Sequence, residues 1–511
     1  MTSFLKFLKK PIIIFPFILG LISLYYSYPD ILFKRPQSVH KWRQSDCASV
    51  TLNYYQTGMH FFKPQTHNLT SDNCTSGYNA TSEIPFFYYF IAILYKIFGP
   101  HEFIYRFVNT LLFFIGLTYL FKSYSIILKN SFIAITATLY FFASPVLVYY
   151  GNNYLTDSTA FSLAFIALYH FIAFYKMKGS KHFYFSVLFF FLAGSCKITS
   201  LLSFVAILSI IFIDLIGITK NKIKELFIEH KVGFCISIFL LGLVIGSWVL
   251  FAKQYNSIHN SGYFSTTIFP IWDLNKLEIH AVFDAMWNGW LSQYYHPSFL
   301  LIFGIILFFN LFFYKTEEKV LYLLHLFLFI GVIIYSILWF ITYKNHDYYL
   351  LNLYILPAIS FLLFLSNLKQ LFPNIYTSKI LKIVVVLYLL FNIYHTSNVL
   401  KIRYNGWQSD PESYSFHSVT PYLHTIGIND LDTVICLPDY THASLYNMNL
   451  RGWTNCCGIS GDSISFERNI RNGAKYLIVN DDISKNFPFA IKYMKNKIGE
   501  YQNIKIFRIR E

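Results

Sequence analysis

The chain has 511 residues, of which 55% are hydrophobic and only 13% are charged, and its mean hydropathy is +0.44. A soluble globular protein carries roughly 25% charged residues, so this chain has about half the usual solvating charge. The composition excludes a soluble enzyme, a disordered chain and a collagen-like chain. The formal net charge of +15 does not indicate a nucleic-acid binder, because the basic residues fall between apolar runs, as in membrane proteins.

Eleven apolar runs have about the length needed to cross a bilayer. They lie at 11–29, 103–121, 131–151, 156–175, 183–196, 198–217, 232–252, 297–314, 320–341, 348–367 and 379–396. The sequence therefore predicts an all-α polytopic membrane domain of about eleven to twelve helices, which we place at residues 1–397.

The lysine-rich linkers between these runs predict the orientation of the spans. They lie at 122–129, 176–181, 220–231, 315–319 and 369–379, and the positive-inside rule places them in the cytoplasm. We then expect loops 30–102 and 253–296 on the outer side of a plasma or inner membrane. The corners at Asp157, Lys197 and His346, and the tail after residue 397, fall on the same side.

Two segments depart from the simple pattern of spans. Ile84–Phe98 is apolar but short, and Gly99-Pro100 follows it, so it is interpreted as a re-entrant or in-plane helix. Ser186–Gly217 is long for one span and has Gly194-Ser195-Cys196-Lys197 near its middle, which predicts a helical hairpin or a broken helix. A break at membrane depth is tolerated only where it faces protein or water.

The tail at 398–511 has the composition of a soluble domain. Strands are predicted at Thr433–Leu437, Tyr476–Val479 and Ile504–Ile509, and helices at Ser413–Thr425 and Ser484–Lys497. This alternation of element types predicts a small C-terminal α/β domain outside the membrane.

Ionisable residues recur on the predicted outer face in five separate parts of the chain. They are Arg43 with Asp46, Glu83, Asp157, Lys197, and His346 in the segment His346-Asp347-Tyr348-Tyr349. Charges beside membrane spans cost energy, so their recurrence on one side predicts a water-filled cavity. A carboxylate can take the proton of an attacking hydroxyl, and cations can hold a departing phosphate. This arrangement suits the transfer of a sugar from a polyprenyl phosphate.

The same residues carry a resemblance to a known superfamily. The runs Trp42-Arg43-Gln44-Ser45-Asp46 and Glu83-Ile84-Pro85 resemble the first outer loop of membrane glycosyltransferases of the C-type fold. The most similar group is that of the protein O-mannosyltransferases and aminoarabinose transferases. The resemblance covers roughly residues 10–200, and Tyr343–Pro357 resembles a later aromatic segment of the family.

The resemblance implies an inverting membrane glycosyltransferase that moves a sugar from a polyprenyl phosphate to a glycan, lipid or protein acceptor. It implies Asp46 as catalytic base, Glu83 and Asp157 as residues that orient donor or acceptor, and a donor-phosphate set comprising Arg43, Lys197, His346 and Tyr348. Ser45-Asp46-Cys47 lacks both the Asp-x-Asp pair of the oligosaccharyltransferases and the Asp-Glu pair of the mannosyltransferases. We therefore expect no metal and no other cofactor.

Simpler roles compete with these assignments. Glu83 and Asp157 each stand where a helix cap would stand. Lys197 could extend its ammonium group to the membrane interface, and Tyr348 could belong to an aromatic belt. A polytopic transporter or flippase of lipid-linked sugars would also keep charges near the membrane, and it is the alternative function.

Overall fold

The computed structural model describes residues 10–219, 223–264, 267–312, 316–405, 411–456, 459–480 and 486–510. The chain divides into two compact units. The helical unit consists of Met1–Leu32, Phe107–Ser247 and Thr267–Lys401. The loop–tail unit consists of Phe33–Arg106, Trp248–Thr266 and Ile402–Glu511. The first loop and the tail thus belong to one compact body, whereas the predicted domain boundary at residues 397 and 398 stays a prediction.

Long apolar helices dominate the chain. Among the described residues, seven are long and apolar enough to cross a membrane: Glu102–Leu128, Thr156–Met177, Ile198–Leu215, Lys231–Ile258, Lys319–Leu338, Asp347–Leu371 and Lys379–Asn405. The protein is therefore a polytopic all-α membrane protein, as the sequence predicted.

Breaks and short helices explain why the described residues contain fewer full spans than the eleven apolar runs of the sequence. Ser131–Ala143 with Pro145–Gly151 bends by 79°, and Lys276–Tyr294 with Pro297–Phe312 bends by 95°. Each second helix begins at a proline, which cannot donate a backbone hydrogen bond to a preceding turn. Counting each bent pair as one span gives nine in the described parts of the chain.

Two apolar helices are shorter than the hydrocarbon core of a bilayer is thick. Pro11–Tyr25 and Phe86–Phe98 have 15 and 13 residues, so they rise about 22 and 20 Å, less than the roughly 30 Å hydrocarbon core. The re-entrant or in-plane reading of Ile84–Phe98 stays a prediction. The described helices of the first 405 residues that have not yet been named are Tyr28–Leu32, Lys41–Gln56, Ser180–Cys196, Ile223–Glu229 and Pro373–Thr377, with 3₁₀ helices at Ile271–Asp273 and Phe340–Lys344.

Several linkers predicted to be cytoplasmic meet at one end of the helical unit. The Lys176 ammonium lies 2.7 Å from the Glu318 carboxylate, and Lys369 donates to the backbone oxygen of Leu128 at 2.9 Å. Each contact joins two of the lysine-rich linkers, and a shared pocket contains Lys129 beside them. The compartment that this end faces stays a prediction, and Lys220 and Lys315 lie outside the described residues.

The tail folds around a five-stranded sheet. The strands are β1 (Thr433–Leu437), β2 (Arg451–Thr454), β3 (Tyr476–Val479), β4 (Lys497–Tyr501) and β5 (Ile504–Arg508), in the order β2-β1-β3-β5-β4. β1 pairs in parallel with β2 and with β3, whereas β5 pairs antiparallel with β3 and β4. The prediction of a small α/β domain is confirmed.

Alternating side chains of the sheet build a separate core on each face. On one face, Val434 and Cys436 pack with Leu445 and Met448 of the helix Ala443–Met448. On the other, Ile435 and Leu437 pack with Phe466 of the helix Ser463–Arg471. Two β-α-β connections therefore place one helix on each side of the parallel strands.

The three predicted strands are all present, and the sheet contains two further strands, β2 and β4, that the sequence did not predict. β2 contains a glycine, and β4 is an edge strand with exposed charged residues, so neither has a strong strand pattern. The predicted helix at Ser413–Thr425 is a 3₁₀ helix at Pro411–His417 followed by a short helix at Thr420–Thr425. Of the predicted helix at Ser484–Lys497, residues 484 and 485 lie outside the described residues, and the described part contains a 3₁₀ helix at Pro488–Tyr493.

The first loop packs directly on the sheet within the loop–tail unit. The backbone N–H of Leu69 donates to the Gly452 oxygen at 2.8 Å, and the Gly452 N–H donates to the His67 oxygen at 3.0 Å. Gly452 has φ of +155°, and a Cβ there would lie 1.8 Å from the backbone oxygen of Val434. Only glycine allows this close approach of β2 to β1 at the position where the loop binds.

Candidate functional site

The helix Lys41–Gln56 carries Asp46 into the interior of the loop–tail unit. Most of its side chains are buried although many are polar, which requires partners for them. Asp46 is only 4% exposed, and the Tyr263 hydroxyl donates to its Oδ1 at 2.8 Å. The Tyr263 ring also packs edge-on against His442, with 5.6 Å between ring centroids. The predicted base is thus a buried carboxylate held by a tyrosine.

Arg43 lies one helical turn before Asp46 and forms an ion pair with Glu83. The Arg43 Nη2 and the Glu83 Oε1 are 3.2 Å apart, and both side chains are buried. The guanidinium also stands 5.7 Å from the centre of the Phe264 ring. The sequence-predicted residues Arg43, Asp46 and Glu83 therefore share one region of the loop–tail unit.

A small cavity opens beside Asp46. Its lining residues are Ser45, Asp46, Ser49, His67, Asn68, His442 and Tyr446. Burial, with a smaller contribution from the Arg451 cation, lowers the pKa of His67 to about 4. Asn53 donates to the His67 Nδ1 at 3.1 Å, and the His67 Nε2 lies 3.2 Å from the Asn449 Oδ1, as the neutral Nε2–H tautomer requires. His67 is thus a neutral hydrogen-bonding wall of this cavity.

The second cluster lies in the helical unit, where the predicted helix break is found. Ser180–Cys196 ends at Lys197, whose extended backbone (φ −161°, ψ 118°) separates it from the 3₁₀ helix Ile198–Leu201. The Lys197 Nζ is 3.2 Å from the Asp157 Oδ1, and Asp157 is completely buried. Asp157 stands in the first turn of Thr156–Met177. The N-cap of this helix is Leu155, so Asp157 is a first-turn acid rather than the cap, and its carboxylate pairs with the lysine.

The aromatic segment after residue 345 adjoins this ion pair. The Lys197 ammonium lies 5.0 Å from the centre of the Tyr349 ring. The His346 ring stacks on Tyr349 at 5.6 Å and lies 5.4 Å from Tyr348. Tyr348 is buried. The predicted residues Asp157, Lys197, His346 and Tyr348 therefore lie in one cluster.

Some residues of these clusters were not expected from the sequence. Tyr263 and His442 stand in irregular segments more than 200 residues and almost 400 residues from Asp46 in the chain. Neither belongs to a motif or a periodic pattern, so no local signal marks them. Asp347 was noted only within its aromatic segment, yet it is buried and accepts a hydrogen bond from the Tyr150 hydroxyl at 2.6 Å.

Among the residues that the structure describes, no three His, Cys, Asp or Glu side chains gather as a metal site would require. The absence of a metal stays a prediction.

Solved structures with this fold are membrane glycosyltransferases. The oligosaccharyltransferase of Archaeoglobus fulgidus aligns with a TM-score of 0.60 and 13% identity, over 94% of this chain and 71% of that one. ArnT from Cupriavidus metallidurans, solved with undecaprenyl phosphate, aligns with a TM-score of 0.59 and 9% identity, over 96% of this chain and 98% of that one. The mycobacterial arabinofuranosyltransferase AftD aligns at 0.54 and 12% identity, over 96% of this chain and 40% of that one. The chain has the C-type glycosyltransferase fold, and the predicted resemblance is confirmed.

One family model matches part of the chain. The model of the dolichyl-phosphate-mannose-protein mannosyltransferases matches residues 82–248, about a third of the chain. This is one of the two groups that the sequence resembles. A comparison with curated protein sequences finds no significant match.

Proposed function

We propose that the protein is an integral membrane glycosyltransferase that moves a sugar from a polyprenyl phosphate to an acceptor hydroxyl, at the outer membrane face and with inversion. The observation that carries the proposal is the Asp46 carboxylate, which is buried, bonded to Tyr263 and adjacent to a cavity. Burying a carboxylate costs energy, so a buried carboxylate beside a cavity is a candidate for a functional group.

In the proposed reaction, Asp46 takes the proton of the acceptor hydroxyl as its oxygen bonds to the anomeric carbon of the donor sugar. The bond between that carbon and the phosphate oxygen breaks, and the polyprenyl phosphate leaves with the electron pair. A phosphate is a stable anion, so one carboxylate base suffices, in contrast to the carboxyl pair of glycoside hydrolases. Direct attack inverts the anomeric centre.

The basic residues would hold the donor phosphate. We assign Lys197, His346 and Tyr348 to this task, because cations and hydroxyls stabilise the developing negative charge. Arg43 is proposed for the same task in the loop–tail unit. Arg43 forms an ion pair with the buried Glu83, and Lys197 forms one with the buried Asp157. We propose that these two carboxylates position the cations and also orient the donor or acceptor.

The test uses membranes that contain the wild-type protein or the Asp46→Asn variant, supplied with a radiolabelled polyprenyl-phosphate sugar. Sugar transfer by the wild type and its loss in the variant would support the proposal. Transfer at near wild-type rates in the variant would refute it. Movement of the lipid-linked sugar across the membrane with no covalent product in either sample would instead establish the flippase alternative.

A further inference from the structure

A second, larger cavity lies in the loop–tail unit at the carboxyl ends of two parallel strands. β1 continues into Pro438 and Asp439, β3 continues into Asn480, and all three residues line this cavity of about 160 Å³. We call it the strand-end pocket. The pocket is also lined by Lys41, Tyr414, His417, Tyr440, Ser444 and Asn447.

The topology explains why a pocket forms there. The connection from β1 runs to β2 on one side, and the chain then returns past β1 to β3 on the other. The two connecting helices pack on opposite faces of the sheet. In open α/β sheets this reversal leaves a crevice at the carboxyl ends of the strands, and ligands bind in such crevices.

Two buried amide groups in the pocket have unused acceptors. The side-chain oxygens of Asn447 and Asn480 have no hydrogen-bond partner among the residues that the structure describes. Asn447 is 3% exposed and Asn480 is 8% exposed. A buried acceptor without a partner is unfavourable, because it has lost its hydrogen bonds to water. Both oxygens lie beneath the pocket surface, and a turn of the two amide side chains would present them to the hydroxyl or amide hydrogens of a ligand.

The charges of the pocket favour an uncharged ligand. Both Asp439 carboxylate oxygens already accept hydrogen bonds, from Thr441 and from Ser444. Burial and the Arg35 and Lys41 cations lower the pKa of His417 to about 4, so this histidine is neutral near pH 7. The Lys41 cation and the Asp439 anion therefore balance, and the lining as a whole attracts neither an anion nor a cation strongly.

Aromatic rings complete the lining. Tyr414 and His417 stack with 5.4 Å between ring centroids, and Tyr440 is 66% exposed at the pocket. Rings beside carboxamides suit sugars, because the C–H face of a pyranose packs on an aromatic ring while its hydroxyls bond to planar amides.

We infer that the strand-end pocket binds a neutral sugar residue of the acceptor, and hence that the acceptor is a glycan. The assignment to the acceptor rests on the proposed function. The helix Ala443–Met448 links this pocket to the proposed base, because Ser444 and Asn447 line the strand-end pocket whereas Tyr446 lines the small cavity at Asp46. A glycan chain bound in the pocket would thus be held one helix away from the carboxylate that activates its hydroxyl.

The test measures binding of the full-length protein in lipid nanodiscs to an array of immobilised neutral oligosaccharides. We expect binding to at least one glycan, and a loss of about tenfold or more in Asn480→Ala and Asn447→Ala, because each loses one amide contact. Asn429→Ala, at an exposed position of the same unit, is the matched control and should bind as the wild type does. Tyr440→Ala is a second test variant, and it should fold normally because Tyr440 is largely exposed. Ile464→Ala, at a position that is 78% exposed, is its control.

Two further samples separate this inference from the proposed function. Asp46→Asn should still bind the glycan, because the pocket needs no chemistry. A polyprenyl-phosphate sugar should bind equally well to wild type and Asn480→Ala, since the pocket is assigned to the acceptor. A blank array, or unchanged glycan binding in the pocket variants, would overturn the inference and leave Asp46-dependent transfer intact. Loss of donor binding in Asn480→Ala would assign the pocket to the donor sugar and would equally overturn it.

Discussion

Lys197 and Asp157 form an ion pair of 3.2 Å within the helical unit, and the two partners are not equally buried. Asp157 has no exposed surface, whereas 13% of the Lys197 side chain is exposed. The exposed surface of the pair therefore belongs to the lysine side chain, which is the partner that a ligand can reach. Arg43 and Glu83 are also 3.2 Å apart, but their side chains are about equally buried, at 8% and 5% exposed.

Asp46→Asn is expected to lower the rate of sugar transfer by about 10²- to 10⁴-fold, the range that general bases contribute. The amide oxygen can still accept the hydrogen bond of Tyr263, so expression and thermal stability should stay close to wild type. Asp430→Asn changes an exposed carboxylate of the same unit and should leave transfer unchanged. A similar loss in both variants would show that the effect is not specific to the base.

Lys197→Met is expected to weaken binding of a C55 polyprenyl phosphate by about ten- to a hundredfold, because a charge-assisted contact to phosphate contributes roughly 1.5–3 kcal/mol. Native mass spectrometry of the protein with the lipid measures this directly. Lys176→Met is the control, since Lys176 pairs with Glu318 in the opposite set of loops. Equal lipid affinity in Lys197→Met and the wild type would remove Lys197 from the phosphate set.

Asp157→Asn tests the ion pair itself. Removing one partner of a buried pair leaves an uncompensated charge, which costs about 3–5 kcal/mol, so this variant should unfold at a lower temperature. The double variant Asp157→Asn/Lys197→Met should recover part of that stability but not the lipid binding. Additive effects on stability in the double variant would contradict direct coupling of the two side chains.

The lowered pKa of His67 predicts that the stability of the loop–tail unit depends on pH. Its pKa is about 4 in the folded protein and about 6.5 when unfolded. The unfolded chain therefore binds the proton first as the pH falls. Stability is complete above pH 6.5 and is lost between pH 6.5 and 4, by up to about 3 kcal/mol.

The measurement compares thermal unfolding of wild type and His67→Gln between pH 7.5 and 4. The variant should be less stable at pH 7.5 and should lose less stability on acidification. Parallel curves for the two proteins would exclude His67 as the source, whereas His417, whose pKa is also about 4, contributes equally to both and cancels in the difference.

Gly452→Ala should prevent the loop–tail unit from folding stably, because the new Cβ would meet the Val434 backbone oxygen at 1.8 Å. Backbone cannot move aside as a flexible side chain can. Gly473→Ala is the matched control: its φ of +111° is also unfavourable for alanine, but nothing lies within 4 Å of the new Cβ. We expect the control to lose only about 1 kcal/mol. Limited proteolysis of both variants distinguishes them, and equal resistance would contradict the steric argument.

Hydropathy, charge and local breakers predicted much of this molecule. The long helices follow from apolar length, and the break at Lys197 follows from the Gly194-Ser195 sequence before it. The charge of the linkers places the corners that carry Asp157 and His346 on the same side of the membrane, and the two corners lie in one cluster. These features are local in the chain, and each one has a physical cause that a short window of sequence contains.

The parts that the sequence did not predict depend on distant partners. Tyr263 reaches Asp46 from 217 positions away, and His67 and Asn449 are 382 positions apart. β4 has no strand pattern of its own and is ordered by pairing with β5. Which side chains complete a site is decided by packing between segments, and that information is spread over the whole chain.

The loop–tail unit joins the first loop to the last hundred residues, and this order matters for biogenesis. The loop leaves the ribosome early, but Arg451 and Trp453, which bond to its Asn53 and Cys74, are synthesised roughly 380–400 residues later. At about 5–20 residues per second this interval lasts tens of seconds. The segment bearing Asp46 must therefore remain soluble and uncleaved through most of translation, and a nascent chain that stops before the sheet is complete would expose it to quality-control proteases.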